Sequence, residues 1–269
     1  MRDFKHIALS AFVLAVFVYI YSPIALLVAF SFNRGISVGG RVVSSTVTWL
    51  GFSLEWYGAL FAEPNLLRAF SLSASIALIV ALISGIVGAF AAYAYSRYNY
   101  RGKQGFDAFL LVPVIIPEIA QALAMLLYFR LVGLNYGVAT IIMGHLTFAI
   151  PYVYLVMKAR FAGYDRAFEE AGYSLGANEV RTFLTVTAPL IMPGILAGSL
   201  MAFTLSFDDF VISSFLSGAG INTLPMIIYA RIRFGINPDI NAIASITFGL
   251  STVFVFLTQV LSSRQKRAS

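Results

Sequence analysis

The sequence predicts an all-α membrane protein with six transmembrane helices, and three observations carry that prediction. Of 269 residues, 59% are hydrophobic and only 11% are Asp, Glu, Lys or Arg, against about 25% charged in a soluble domain. Mean hydropathy is +0.85. This excludes a water-soluble globular domain, and also a disordered chain, which needs low hydrophobicity and high charge. Six stretches, at 7–32, 69–95, 106–129, 137–157, 186–207 and 241–261, reach the about 20 apolar residues that a membrane helix requires. Runs such as Ile76-Ala77-Leu78-Ile79-Val80-Ala81-Leu82-Ile83 are continuously apolar, whereas a barrel strand alternates. A helix also satisfies its own backbone in lipid. Little chain remains outside the spans, so 1–269 reads as one transmembrane domain. The absence of cysteine excludes a disulfide framework and a thiolate metal site.

The first span follows Arg2 and Lys5, as in a signal peptide. Its apolar run is long for a signal h-region and no small-x-small cleavage site follows, so it reads as a retained span. The first loop, 33–68, carries Trp49, Trp56 and Tyr57, which suit an interfacial aromatic belt. Gly85 and Gly88 in span two, and Gly194 and Gly198 in span five, let helices approach closely; they read as packing within the chain.

Span three contains Val112-Pro113-Val114-Ile115-Ile116-Pro117-Glu118. A carboxylate at a helix centre costs roughly 2.5–3.5 kcal/mol on insertion scales, so Glu118 should face a cavity or a partner. Pro113 and Pro117 loosen the helix and free carbonyls, giving a broken, polar point in the membrane. Span four holds His145, which reads as a hydrogen-bonded packing residue. Span five ends in Leu205-Ser206-Phe207-Asp208-Asp209-Phe210. The adjacent carboxylates Asp208 and Asp209 concentrate negative potential at the outer mouth, and the aromatic rings of Phe203, Phe207 and Phe210 can face a cation. The pattern favours a cationic, partly aliphatic solute. The alternative is that the aspartates cap the next turn or pair with Arg231 or Arg233.

With both ends in the cytoplasm, the inside segments hold 12 basic residues in 52 positions and the outside segments 6 in 76. That is the direction of the positive-inside rule, and the Arg264-Gln265-Lys266-Arg267 tail agrees. The loop 158–185 then projects into the cytoplasm. Asp165 caps a short helix carrying Arg166, Glu169 and Glu170, and Gly176 breaks it. Asn178 and Glu179 begin a second short helix with Val180, Phe183 and Leu184 on one face.

Here the chain resembles the permeases of ABC importers of the type I fold. Their cytoplasmic motif is E-A-A, three residues, Gly, nine residues, then I-x-L-P. This sequence has Glu170-Ala171-Gly172, Gly176, Val186 and Ala188-Pro189 at those spacings, between spans four and five. Gly172, Val186 and Ala188 depart from the pattern, and Gly172 in place of Ala lowers helix propensity by about 1 kcal/mol. The resemblance implies a coupling helix docked in an ATPase subunit, with Asp165, Glu169, Glu170, Ala171, Gly172, Gly176 and Pro189 in or beside it. Residues 203–215, the Asn237-Pro238-Asp239-Ile240-Asn241-Ala242 stretch and the P-x-x-x-P-[DE] pattern, with Glu118 where Asp is usual, resemble the spermidine/putrescine branch, second permease subunit. That implies a substrate pathway through Glu118, Asp208, Asp209, Phe203 and Phe207. Residues 216–240 read as an outer loop with an interfacial helix that receives a binding protein.

No G-x-x-x-x-G-K-[ST] or paired-histidine metal spacing occurs, so the chain neither binds ATP through a P-loop nor shows a metal site. No catalytic constellation is present, and an enzyme is not expected. No cofactor is expected in this chain; ATP and Mg belong to a partner. The resemblance implies a bacterial inner-membrane location, a homologous permease as heterodimer partner, two ATPase subunits, an external or periplasmic binding protein, and no nucleic acid. Other solutes of related branches, such as opines, amino acid derivatives or aminophosphonates, are the alternative. So are a cation-coupled secondary transporter and a non-transporting scaffold.

Overall fold

The computed structural model describes residues 2–38, 41–43, 48–234 and 239–265. They form α1 (Arg2–Phe30), a hairpin of β1 (Ile36–Val38) and β2 (Arg41–Val43), α2 (Glu55–Phe61), α3 (Pro64–Arg97), α4 (Lys103–Ile115), α5 (Glu118–Leu131), α6 (Val138–Ala162), α7 (Ala167–Ser174) and α8 (Glu179–Thr182). A π-helical turn (Phe183–Thr187), α9 (Ala188–Phe207), α10 (Val211–Leu216), α11 (Leu224–Phe234) and α12 (Asp239–Gln265) follow. Of the sequence features named above, 235–238 and the tail beyond Gln265 lie outside the described residues.

Four described helices are long and apolar enough to span a bilayer, in α1, α3, α6 and the continuous segment Glu179–Phe207. The third expected span is not one helix. Pro117 forces Ile116 into an extended conformation (φ −70, ψ 132), because its ring clashes with a helical neighbour. α4 therefore ends, and α5 leaves at 103° to it. Pro113 lies inside α4 without breaking it. The sixth expected span falls within α12 (Asp239–Gln265).

The residues group into two compact units, Met1–Leu67 with Ile227–Leu250, and Arg68–Met226 with Ser251–Ser269. In the first, Asn33 is fully buried and organises the loop after α1. Its Oδ1 accepts from the Leu50 amide (2.7 Å), its Nδ2 donates to the Thr48 carbonyl (2.9 Å) and its carbonyl accepts from Trp56 Nε1 (2.7 Å). Tyr57 and Ser31 hydroxyls bond at 2.7 Å. Trp56 and Tyr57 thus hold the loop together, whereas Trp49 is exposed as a belt residue would be. Arg231 pairs with Glu63 at 2.5 Å.

In the second unit α6 lies along α9, and α10 packs on α5 and α6. The small residues make the close approaches. A Cβ on Gly88 would meet Val153 Cβ at 2.7 Å, and one on Gly198 would meet Val153 Cγ1 at 3.1 Å. These glycines pack within the chain, around a core of Val153, Tyr154, Met157 and Ile191. Gly144 performs the same service between α6 and α10, where a Cβ would sit 2.6 Å from Leu216 and 2.7 Å from Ile212.

Candidate functional site

Two constellations lie in the second unit. The first is a cavity of about 600 Å³ at the break between α4 and α5. Because Pro117 ends one helix and Glu118 opens the next, the Glu118 carboxylate sits in the first turn of α5, at the positive end of the helix dipole. The opposite wall is the corner where α9 ends at Phe207 and Asp208 and Asp209 turn the chain into α10. Glu118, Asp208 and Asp209 all line the cavity, together with Gln121, Phe148, Tyr152, Thr204 and Phe210.

The two aspartates are not equivalent. Asp208 is exposed and its Oδ2 accepts from the Ser251 hydroxyl at 3.0 Å. Asp209 is only 6% exposed and turns inward. Its Oδ1 accepts from His145 Nε2 at 2.9 Å and from the Ser213 amide at 2.8 Å. Its Oδ2 is buried without a hydrogen-bond donor among the described residues, and the Glu118 carboxyl comes within hydrogen-bond reach of the same side chain. A buried carboxylate oxygen without a donor is costly. A cation, or a proton shared with Glu118, satisfies it.

Phe203 and Phe207 do not line the cavity. Phe207 is 2% exposed, stacks on Phe203 (5.8 Å between centroids) and meets Phe70 edge-on (5.7 Å). They are packing residues on the far side of α9. The aromatic walls come instead from Phe148, Tyr152 and Phe210. The signal for two of these was present in the sequence: His145, Phe148 and Tyr152 fall at i, i+3 and i+7 and so share one face of α6.

The second constellation is the elbow between α6 and α9. Asp165 Oδ1 accepts from the Ala167 amide (2.9 Å) and starts α7. Gly176 takes φ +84 and turns the chain, a conformation only glycine adopts without strain. Asn178 Oδ1 accepts from the Arg181 amide (2.9 Å), capping α8. The expected second short helix is not separate. α8 runs through the π turn into α9, because Pro189 has no N–H for the carbonyl of Thr185 and the ladder widens there. Phe183 packs on Tyr93 (5.0 Å between centroids) and Phe90, whereas Val180 and Leu184 are exposed.

α7 has two faces. Glu170 and Ala171 are exposed, as are the apolar side chains of Phe168 and Leu175, the latter at 89%. Glu169 points the other way and is 2% exposed. Its Oε2 pairs with Arg97 at the end of α3 (3.2 Å) and its Oε1 accepts from Thr187 in the π turn (3.0 Å). Tyr164 lies 3.5 Å from the same Thr187 hydroxyl, and burial lifts its phenol above the ordinary range, so it stays a neutral donor. Gly172 faces Thr182, where a Cβ would lie 3.2 Å from Cγ2. Pro189 sits in the first turn of α9, beyond the elbow.

Residues 84–267 match the family described as "Binding-protein-dependent transport system inner membrane component". The chain is 36% identical over 255 residues to the spermidine/putrescine transport system permease protein PotC of Haemophilus influenzae, covering 95% of this chain and 96% of that one. It is 38% identical over 259 residues to the putrescine transport system permease protein PotI of Escherichia coli, covering 93% and 89%. Among solved structures, a chain of a bacterial ABC transporter involved in the import of the acidic polysaccharide alginate superposes with a TM-score of 0.67 at 18% identity, covering 98% and 97%. The MetNI methionine ABC transporter superposes with a TM-score of 0.59 at 18% identity, covering 76% and 95%.

Proposed function

The chain belongs to the family of inner-membrane components of binding-protein-dependent transport systems, and from that premise we propose its cargo, its route and its couplings. The protein is a multi-pass membrane permease subunit of an ATP-driven importer, not an enzyme. Its cargo is a polyamine of the putrescine or spermidine kind, moved by alternating access. The relatives named for spermidine and putrescine transport support this.

The observation that carries the reading is the lining of the cavity. Three carboxylates meet three aromatic rings, and no Lys or Arg is among the described residues that line it. Carboxylates and aromatic faces suit alkylammonium groups. An opine, an amino acid derivative or an aminophosphonate would bring an anionic end that this lining repels. The volume lies within the range of small-molecule sites, roughly 300–1,000 Å³.

The remaining assignments follow the same reading. Both termini lie in the cytoplasm of a bacterial cell, and the elbow with them. Its exposed face, with Glu170, Ala171 and the apolar Phe168 and Leu175, docks in an ATPase subunit. Asp165 and Gly176 shape that face, and Glu169 bolts it to the spans. A homologous second permease, two ATPase subunits holding ATP and Mg, and an external binding protein complete the assembly.

The test is uptake of labelled putrescine by the complete importer in proteoliposomes. ATP-dependent uptake that Glu118→Gln and Asp209→Asn each lower by about ten- to a hundredfold, with the assembly intact, is the expected result. Uptake unaffected by both substitutions removes the cavity from the route. Efficient uptake of a zwitterion and none of putrescine overturns the cargo.

A further inference from the structure

We propose that His145 is a positioning residue for the cation site, an inference that rests on the route proposed above. Its ring does not line the cavity and is 1% exposed. It sits directly behind Asp209. The carboxylate accepts, so the proton lies on Nε2, and Nε2–H is shared between Asp209 Oδ1 (2.9 Å) and Ser213 Oγ (3.1 Å). The other nitrogen, Nδ1, is hydrogen-bonded to the Ser206 hydroxyl at 2.7 Å. Both ring nitrogens are engaged, one with each helix that flanks the Asp208-Asp209 corner.

This arrangement divides the labour between the two oxygens of Asp209. Oδ1 is held by the imidazole and by the Ser213 amide. Oδ2 is left without a donor among the described residues, on a side chain that lines the cavity. The carboxylate is therefore fixed in direction, with one oxygen offered to the cargo. An imidazole is suited to this because its two ring nitrogens hydrogen-bond on opposite sides at once, one to Asp209 and one to Ser206. The contact depends on Gly144, whose missing side chain lets α6 approach α10 to within reach.

The experiment is a double-substitution cycle, read as ATP-driven putrescine uptake by the complete importer, with thermal stability measured alongside. His145→Leu keeps the volume and removes every hydrogen bond of the ring; uptake falls by about ten- to a hundredfold, the loss expected for a hydrogen bond to a charged group. His145→Gln still presents an amide N–H to Asp209 and retains most of the uptake at equal stability. In an Asp209→Asn background, His145→Leu has no additional effect. Equal losses in the Leu and Gln variants, or losses that add to that of Asp209→Asn, overturn the positioning role. If His145→Leu fails to assemble, Ser206→Ala serves instead. It unseats the ring at Nδ1 without touching Asp209 and lowers uptake several-fold; no change there also overturns the proposal. Wild-type importer that takes up no putrescine, or takes it up equally well with Asn at 209, fails the route itself, and this inference with it.

Discussion

Glu169 in the elbow and Asp209 at the cavity are both carboxylates withdrawn from water, and the chain finishes them differently. Glu169 Oε1 accepts from Thr187, and Oε2, without a hydrogen bond among the described residues, is ion-paired with Arg97 at 3.2 Å. Asp209 has two donors on Oδ1 and none among the described residues on Oδ2. Taking a charge out of water costs several kcal/mol. At Glu169 that cost is offset inside the chain, and the side chain acts as a bolt between α7, α3 and the π turn. At Asp209 part of the offset is left to whatever enters the cavity. A carboxylate neutralised by an arginine of its own chain fixes structure, and one left without such a cation binds.

The largest expected effect comes from removing the seat of the open carboxylate while leaving the closed one alone. Gly144→Val drives a side chain into Leu216 and Ile212 at under 3 Å. Overpacking of this kind costs about 1–3 kcal/mol or more, and α6 separates from α10. Recovery of monodisperse protein from detergent falls sharply, and any assembled fraction takes up no cargo while still binding its ATPase partner. Normal uptake by this variant would mean that His145 need not reach Asp209.

Next comes the charge itself. Asp209→Asn keeps the shape and the bonds to His145 and Ser213 but removes the anion. Uptake falls by about ten- to a hundredfold, with little change in melting temperature. Glu169→Gln is the counterpart at the bolt and gives the inverse pattern. The ion pair with Arg97 is lost, stability drops by about 1–3 kcal/mol, and uptake per ATP hydrolysed declines a few-fold through poorer transmission. The two variants sharpen the contrast: one changes transport without stability, the other changes stability first. If both lower stability equally, the division into bolt and binding group fails.

The same contrast separates what the sequence makes legible from what it hides. The elbow is built by local signals: Asp165 and Asn178 act on amides two and three residues away, and Gly176 turns its own backbone. Short-range chemistry of this kind is readable in order. The cavity is assembled from α4, α5, α6, α9 and α10. Which of two adjacent aspartates turns inward is decided by His145, 64 residues from Asp209. Span-five neighbours Phe203 and Phe207 therefore look as good as Phe148 and Tyr152 until helix packing aims them. The spans were visible from hydropathy, but not that Pro117 would divide the third at 103°. A proline marks a weak point in a helix and leaves the angle to its neighbours.

The smallest expected effect lies in the elbow, at the position where the chain departs from the E-A-A pattern. Gly172→Ala restores the pattern and raises helix propensity by about 1 kcal/mol. Against this, the new Cβ meets Thr182 Cγ2 at 3.2 Å and Oγ1 at 3.3 Å, and Thr182 is 1% exposed with little room to turn. The gain and the crowding nearly cancel, so the melting temperature of the assembly shifts by no more than a few degrees and uptake is unchanged. Gly172→Ala combined with Thr182→Ser removes the Cγ2 contact and keeps the propensity, so this pair is the more stable of the two. A larger loss of coupling in Gly172→Ala than in Glu169→Gln would reverse the ranking. Transmission would then run through the contact of α7 with α8 rather than through the carboxylate that joins α7 to Arg97 and Thr187.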